Sequence, residues 1–438
     1  MIPLFTKIFS PMRLVPQEFR RNFWLLFSDI GWFGVLSGST ISFLTIYAAR
    51  LGAGTEKIGL INAAPAFVSL IFSLSFGAWM VGKSTRRVVL INAALMRVFY
   101  LPLILIPAVL SAPVQIWVII MMTFLMSIPG TGVQVGFTVL FGEAVPEEWR
   151  AYVAGTRNAI FAIVCILTAL ASGFILKSYP FPSGYQIVFA IGFVGAVMTV
   201  VSLYFVRPLL LPAAHLSDPT DSAGDSRNAF QQRANLHSGR NNLVRSIAQR
   251  YQTRLRFDIV KTPYNKVLLL IFAFHLMQYL PIPLFPIFSV KVLRVSDQII
   301  SIGNALFYFF MFIASTRMAH VAGRHGYQRT TGIGLISLAI YPIFLAVAQD
   351  EWLYLAANIF GGTGWALASG SMYNYGLEKA GRNPPAQYLA WFTLFANAGM
   401  LLGALIGPLV SNWVGVRLAL AIFAAIRLIT GIIIARWK

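Results

Sequence analysis

Ionisable side chains inside long apolar stretches are the residues of this sequence best suited to do chemistry, because a charge is costly in hydrocarbon. Asp29 lies within FWLLFSDIGWFG, and His275 and Gln278 lie three residues apart, on one face of a helix. Such a carboxyl or imidazole group could exchange a proton or contact a solute. The alternatives are structural. Asp29 could be solvated or paired with Arg20 or Arg21 near the membrane surface, and His275 could be a structural hydrogen-bonding residue.

Other polar and aromatic residues in apolar stretches are weaker candidates for lining a substrate cavity, namely Gln134, Asn358, Trp365 and Tyr373. The sequence contains no phosphate-binding glycine loop, no histidine pair at metal-binding spacing and no nucleophile elbow. We therefore expect no enzyme activity, no cofactor and no metal site. A lipid-modifying enzyme is the remaining catalytic alternative, and it would depend on Glu143, Glu147 and Glu148.

The composition indicates that lipid surrounds most of the chain. Hydrophobic residues make up 58% of the sequence and charged residues only 11%, whereas soluble domains carry about 25% charged residues. The formal net charge is +20, but positive residues collect in the cytoplasmic loops of membrane proteins, so no nucleic-acid partner is implied. The single cysteine, Cys165, excludes an intrachain disulfide framework.

Twelve apolar stretches are long enough to cross a bilayer, which takes about 20 helical residues. They form two groups of six, separated by a polar and basic segment in which Leu243, Ile247 and Tyr251 recur every four residues. That spacing is compatible with an amphipathic helix on the membrane surface or with a solvated linker. The predicted organisation is a cytoplasmic segment at 1–22, a six-helix bundle at 23–206, a basic cytoplasmic linker at 207–265 and a second six-helix bundle at 266–438.

The distribution of basic residues predicts the orientation. With both termini in the cytoplasm, most Lys and Arg residues fall in cytoplasmic segments and few fall in outside loops. We therefore expect a multi-pass protein of the inner or plasma membrane with both termini cytoplasmic.

The two halves share an internal repeat. LGAGTEKIGLINA from Leu51 aligns with LRVSDQIISIGNA from Leu293, and the constant offset of 242 positions pairs Asn62 with Asn304. We expect these two asparagines to form hydrogen bonds between helices. Two parallel six-helix repeats are typical of transporters whose substrate site lies between the repeats.

With this topology the chain resembles the major facilitator superfamily over essentially its full length. The loop after the second helix of each half keeps part of the family's glycine and arginine motif, at Gly77, Arg86 and Arg87 and at Arg324, Gly326 and Arg329. The acidic residue of that motif is missing from both copies, where Val81 and Gly323 stand. The resemblance implies a cytoplasmic gate at these loops. The segment joining helices four and five offers further gate charges, at Glu143, Glu147, Glu148, Arg150 and Arg157.

The same resemblance implies an all-α membrane protein that moves a small solute by alternating access of its two bundles, driven by a gradient and with a proton as a possible coupled ion. Few charges lie in the apolar stretches, which favours an apolar or neutral polar solute over a multiply charged one. We expect a monomer. The alternative outside the transporters is a receptor or assembly protein that keeps the scaffold without transporting.

Three further features have structural interpretations. Gly399, Gly403 and Gly407 repeat every four residues and predict close packing between helices. Arg97 and Arg427 lie inside apolar stretches, where we expect them to reach the membrane interface or to cap carbonyl groups between helices.

Overall fold

The computed structural model describes residues 12, 15–80, 83–209, 257–380 and 386–436. The described residues are almost entirely helical and include no β-strand. The segment with Leu243, Ile247 and Tyr251, for which a surface helix was one prediction, lies outside them, as does Val81.

Twelve helical spans form two halves. The first half contains α1 (Gln17–Arg50), α2 (Thr55–Met80), α3 (Thr85–Val109), α4 (Ala112–Ala144), α5 (Glu147–Ser178) and α6 (Ser183–Phe205). The second half contains α7 (Asn265–Val292), α8 (Asp297–His325), α9 (Tyr327–Val347), α10 (Glu351–Ala380), α11 (Ala386–Val414) and α12 (Val416–Arg436). A short helix, Asp258–Lys261, precedes α7. The first span begins at Gln17, so the predicted N-terminal segment 1–22 is partly helical.

Eleven of these spans in the described part of the chain are long and apolar enough to cross a membrane. The exception is α10, which carries Asn358, Gly361, Gly362 and Gly364 along its length. These residues are buried against neighbouring helices. Packing inside the protein rather than contact with lipid therefore explains the lower hydropathy of α10.

The first span of each half is irregular at the same depth. In α1, Ser37–Ile41 forms a π-helical turn, and Oγ of Ser42 donates to the carbonyl oxygen of Ser37 at 2.7 Å. In α7 the regular helix ends at Tyr279, and a π-helical turn follows at Phe288–Val292. Such turns are common at functional sites.

The break in α7 has a cause in the sequence. Proline has no backbone N–H and clashes with the preceding turn, so Pro281 cannot donate to the carbonyl oxygen of Met277, four residues earlier. Pro283 follows two residues later. The helix resumes as Leu284–Ile287.

Close helix packing in the second half depends on glycine. A Cβ atom at Gly399 would lie 2.6 Å from the carbonyl oxygen of Phe272, and one at Gly403 would lie 2.7 Å from that of Leu276. Gly407 lies even more tightly against the Leu280 carbonyl oxygen. The predicted packing role of this glycine row is confirmed, and its partner is the backbone of α7.

We expect Gly403→Leu to destabilise the protein by about 2–3 kcal/mol, because the new side chain would force α11 away from α7. Thermal unfolding in detergent measures this effect. Gly155→Leu is the matched control, since Gly155 is also helical but a Cβ there would meet nothing within 4 Å. Equal unfolding temperatures for the two variants would contradict the packing role.

Candidate functional site

A cavity of about 280 Å³ lies between the two halves. Its walls come from α1 and α2 of the first half and from α7, α8, α9, α10 and α12 of the second. The polar lining residues are Ser42, Thr45, Asn62, Gln278, Ser289, Asn304, Asn358 and Arg427, and the aromatic ones are Phe285, Phe307, Tyr341 and Tyr354. Both irregular spans therefore contribute to the wall.

Two of the predicted cavity residues, Gln278 and Asn358, line this cavity. Asn358 donates from Nδ2 to the carbonyl oxygen of Tyr354 at 2.8 Å. Gln278 is only 8% exposed, and its Oε1 has no hydrogen-bond partner in the described part of the chain. The repeat-related residues Asn62 and Asn304 also line the cavity. Asn62 donates within its own helix, to Ile58 at 2.9 Å, rather than to another helix as expected.

The other predicted cavity residues are not among those that line it. His275 is buried, and its Nδ1 lies 2.9 Å from the carbonyl oxygen of Ile271, so its contacts are those of the structural alternative. Trp365 packs against a hydrophobic cluster of the second half. Gln134 and Tyr373 are exposed, with half of the Tyr373 surface accessible.

Arg427 is buried at the break in α7. Its Nε and Nη2 donate to the carbonyl oxygen of Met277 at 3.1 and 3.0 Å, and Nη2 also donates to that of Gln278 at 2.9 Å. Nη1 donates to the carbonyl oxygen of Leu338 on α9 at 2.9 Å. The guanidinium therefore replaces the N–H that Pro281 lacks, which confirms the predicted capping of carbonyl groups between helices.

Asp29 forms a buried ion pair inside the first half. Its Oδ2 accepts from Nη2 of Arg157 at 3.1 Å, and the two side chains are 8% and 11% exposed. Arg157 also donates to the carbonyl oxygen of Leu26 at 2.7 Å and lies 4.8 Å from the ring centroid of Phe137. Two expectations therefore need correction: Asp29 is paired with neither Arg20 nor Arg21, and Arg157 lies within the bundle.

Arg97 lies close enough to interact with Asp29 electrostatically. Its Nε donates to Oγ1 of Thr199 at 3.2 Å, and its guanidinium faces the ring of Phe33. The first half therefore holds a carboxylate and two arginines in its interior. Sequence reasoning did not find the Asp29–Arg157 pair, because 128 residues separate its members.

The two halves are joined by polar contacts on one side of the bundle, where α1 ends and α2 begins. We call this the far side, and the opposite side, where α1 begins and α12 ends, the terminal side. Nε and Nη2 of Arg50 donate to Oδ1 of Asp297 at 3.1 and 2.9 Å. Nη2 also donates to the carbonyl oxygen of Val295 at 2.7 Å. These bonds form the Arg50–Asp297 latch.

A second polar contact joins α2 to α11 on the far side. Oγ1 of Thr55 donates to Oδ1 of Asn412 at 3.0 Å, and Nδ2 of Asn412 donates to Oε1 of Glu56 at 2.5 Å. Thr55 and Asp297 are the first residues of α2 and α8 and are related by the repeat offset. Each binds the opposite half. The sequence repeat is thus a signal for these contacts between the halves.

The predicted gate charges of the first half make contacts within that half. Thr85 donates to Oε1 of Glu143 at 3.0 Å, Arg86 donates to the carbonyl oxygen of Tyr204, and Arg150 donates to that of Gly142 at 3.1 Å. The exposed gate candidates are Arg87, Glu147, Glu148, Arg150, Arg324, Gly326 and Arg329. Gly77 has open space around it, and Gly326 ends α8 with a φ of 78°. The gate role of these residues stays a prediction.

A family model described as Major Facilitator Superfamily matches residues 22–383 and 267–438. The chain belongs to the major facilitator superfamily (MFS). The resemblance drawn from the repeat and the loop motifs is thereby confirmed. Among curated protein sequences no match was found.

Solved MFS transporters share the fold of this chain at low identity. The nucleoside transporter NupG is 12% identical, with a TM-score of 0.63, and the match covers 97% of this chain and 100% of NupG. The xylose transporter XylE from E. coli, in a partially occluded inward open conformation, is 13% identical, with a TM-score of 0.63 and coverage of 96% and 98%. Tetrameric PepTSo2 is 13% identical, with a TM-score of 0.64 and coverage of 95% and 96%.

These likenesses, together with the helical spans, confirm the predicted fold class of about twelve transmembrane helices in the MFS fold. The protein is a multi-pass membrane protein of a transporter family.

Proposed function

We propose that this protein is a secondary active transporter that moves a small solute by alternating access, with the cavity between its halves as the solute site. The observation that carries this proposal is the position of the cavity. It lies between the repeats, directly beneath polar contacts that join the halves on the far side. If those contacts break while the terminal side closes, the cavity becomes accessible from the far side instead of the terminal side.

The conformation supports a far side that is closed and a terminal side that is open. Asn304 is seven residues from Asp297 along α8, so it lies about 10 Å beneath the latch. The hydrogen bonds that Arg50, Thr55 and Lys291 make across the two halves all lie on the far side. In the orientation expected from the basic residues, with both termini cytoplasmic in a plasma membrane, this is an inward-open state.

A transmembrane gradient is the energy source that fits the sequence, since it contains no nucleotide-binding loop. The Asp29–Arg157 pair is our candidate for proton coupling. Protonation of Asp29 would cancel its attraction to Arg157 and free the guanidinium, which changes how α1 and α5 hold together. Because α5 also packs against α8 of the other half, with Phe161 touching Tyr308, such a change can reach the interface between the halves.

Cross-linking tests alternating access directly. In a Thr55→Cys, Asn412→Cys variant, a cleavable thiol cross-linker should hold α2 against α11 on the far side, since the Thr55 and Asn412 side chains are 3.0 Å apart. The native Cys165 is buried, so it should react little. We expect cross-linking to lower uptake into proteoliposomes more than tenfold and cleavage to restore it. D-ribose, D-glucose, L-alanine, lactate and choline, each radiolabelled, serve as probes.

The Thr55→Cys single variant, treated in the same way, is the control and should keep its uptake. Uptake that continues at the full rate after cross-linking would contradict alternating access. If the untreated protein takes up none of the probes, the result favours the non-transporting receptor instead.

Weakening the latch should shift the protein toward a state that is open on the far side. Asp297→Ala removes the Arg50–Asp297 ion pair of the latch. The pair contributes about 1 kcal/mol, so its loss should raise the population of the state open on the far side about fivefold. In an Asn304→Cys background, we expect the variant to react about fivefold more with an impermeant maleimide applied from outside the cell.

Lys379→Ala is the matched control for the latch, because Lys379 pairs with Glu378 within α10 and both side chains are about half exposed. It should leave the labelling unchanged. Unchanged labelling in Asp297→Ala and in Arg50→Ala would show that the latch does not hold the far side closed.

A further inference from the structure

We infer that the cavity binds an uncharged solute of about monosaccharide size that carries hydroxyl groups, and that Gln278 selects it by accepting a hydrogen bond from one of them. This inference rests on the proposed transport function, since it names the class of solute for the same site.

The charges around the cavity favour an uncharged solute. Among the described lining residues there is no acidic side chain, so a cation would meet no carboxylate. Arg427 is the one cation in that lining, and four of its five N–H groups already point at the carbonyl oxygens of Met277, Gln278 and Leu338. A buried charge without a partner is strongly unfavourable, so this lining favours an uncharged solute over a charged one.

The polar groups of the lining match hydroxyl groups. Four carboxamides line the cavity, at Asn62, Gln278, Asn304 and Asn358. A carboxamide both donates and accepts hydrogen bonds, and so does a hydroxyl group. Hydroxyl side chains of Ser42, Thr45 and Ser289 add to this set. A solute with several hydroxyl groups can satisfy such a wall, whereas an apolar solute would leave its polar atoms without partners.

Gln278 is the strongest candidate for recognising the solute. Its side chain is more than nine-tenths buried, it lines the cavity, and its Oε1 has no partner among the described residues. A buried acceptor without a partner costs about 1–3 kcal/mol. This oxygen exposes less than 1 Å² of surface, so the side chain has to turn toward the cavity before a solute hydroxyl group can donate to it. A solute that donates there gains that amount over one that cannot. The backbone beneath it is held in place, because Arg427 donates to the Gln278 carbonyl oxygen at 2.9 Å.

The remaining walls and the size agree with a compact ring. Phe285, Phe307 and Tyr341 present aromatic surface to the cavity, against which the C–H groups of a ring can pack. The cavity volume is about 280 Å³. This volume accommodates one small ring with its hydroxyl groups.

Thermal unfolding of the full-length protein in detergent tests the inference with defined probes. D-ribose, D-glucose and myo-inositol represent uncharged polyhydroxylated solutes, and choline, lactate and tetraphenylphosphonium represent charged or lipophilic ones. We expect at least one of the first three to raise the unfolding temperature. Gln278→Leu should weaken its binding by about 10–100-fold, since the amide acceptor is lost.

Two controls separate recognition from damage to the fold. Gln134→Leu makes the same change at an exposed glutamine outside the lining and should bind like the wild type. Deoxy analogues of the bound solute give the second control. The wild type should bind one of them about 10-fold or more weakly, and Gln278→Leu should bind that analogue and the parent solute equally.

The inference is wrong if none of the three polyhydroxylated probes shifts the unfolding temperature, or if Gln278→Leu binds and discriminates like the wild type. Its failure can be told apart from failure of the proposed function. Uptake of lactate or choline that stops on cross-linking the far side would keep transport and overturn this solute class. Binding of D-ribose that depends on Gln278, without uptake, would keep the solute class and overturn transport.

Discussion

Asp29→Asn is expected to abolish uptake driven by a proton gradient while leaving solute exchange in the absence of a gradient measurable. The carboxyl group is the only part of the Asp29–Arg157 pair that can release a proton, and Asn cannot replace it in that role. The substitution also leaves the Arg157 charge buried without a counter-ion, which costs about 3–5 kcal/mol when one partner of a buried pair is removed. Uptake in proteoliposomes with and without an imposed pH gradient measures the first effect, and thermal unfolding measures the second.

Two further variants separate coupling from stability. In Asp29→Asn, Arg157→Gln both charges are gone, so we expect much of the lost stability to return while gradient-driven uptake stays absent. Glu351→Gln is the control, because Glu351 is an exposed acidic residue at the start of α10, away from this pair. If Asp29→Asn still concentrates solute in response to a pH gradient, the coupling role is wrong.

Arg427→Met is expected to destabilise the second half strongly. It removes the donors of the Met277, Gln278 and Leu338 carbonyl oxygens at the break in α7, and each buried acceptor left without a partner costs about 1–3 kcal/mol. Part of this cost is offset because a buried charge also disappears. We therefore expect a net loss of about 3 kcal/mol in the free energy of unfolding, measured by thermal unfolding in detergent.

The stability lost in Arg427→Met should depend on the break that Pro281 causes in α7. In an Arg427→Met background, Pro281→Ala restores a backbone N–H four residues after Met277, so we expect it to recover part of the stability. Arg436→Met, at the exposed end of the same helix, is the control and should have little effect. If Arg427→Met unfolds at the same temperature as this control, the capping role is incorrect.

Much of the fold could be predicted from the sequence. Apolar stretches of about 20 residues must form helices in lipid, because no water is present there to satisfy backbone N–H and C=O groups. The offset between Leu51 and Leu293 showed that the halves are repeats. The boundaries were less accurate, as at Gln17, where α1 begins while its sequence is still charged.

The candidate site could be predicted only in part. Gln278 and Asn358 were recognised because polar side chains are rare in apolar stretches, and both line the cavity. His275 and Trp365 met the same criterion and lie elsewhere. The criterion identifies residues that need a polar partner, but a nearby carbonyl oxygen, such as that of Ile271, can be that partner as well as a solute.

Periodicity and composition determined by themselves that this chain is a helical membrane protein with two repeated halves, since those properties depend on residues close together in sequence. Only the tertiary structure decided which charges meet. Asp29 pairs with Arg157 on α5, Arg50 pairs with Asp297 across the two halves, and Arg427 caps a helix broken by Pro281. An ion pair or a cap depends on distances of about 3 Å between side chains, and helix packing brings together residues that are far apart along the chain.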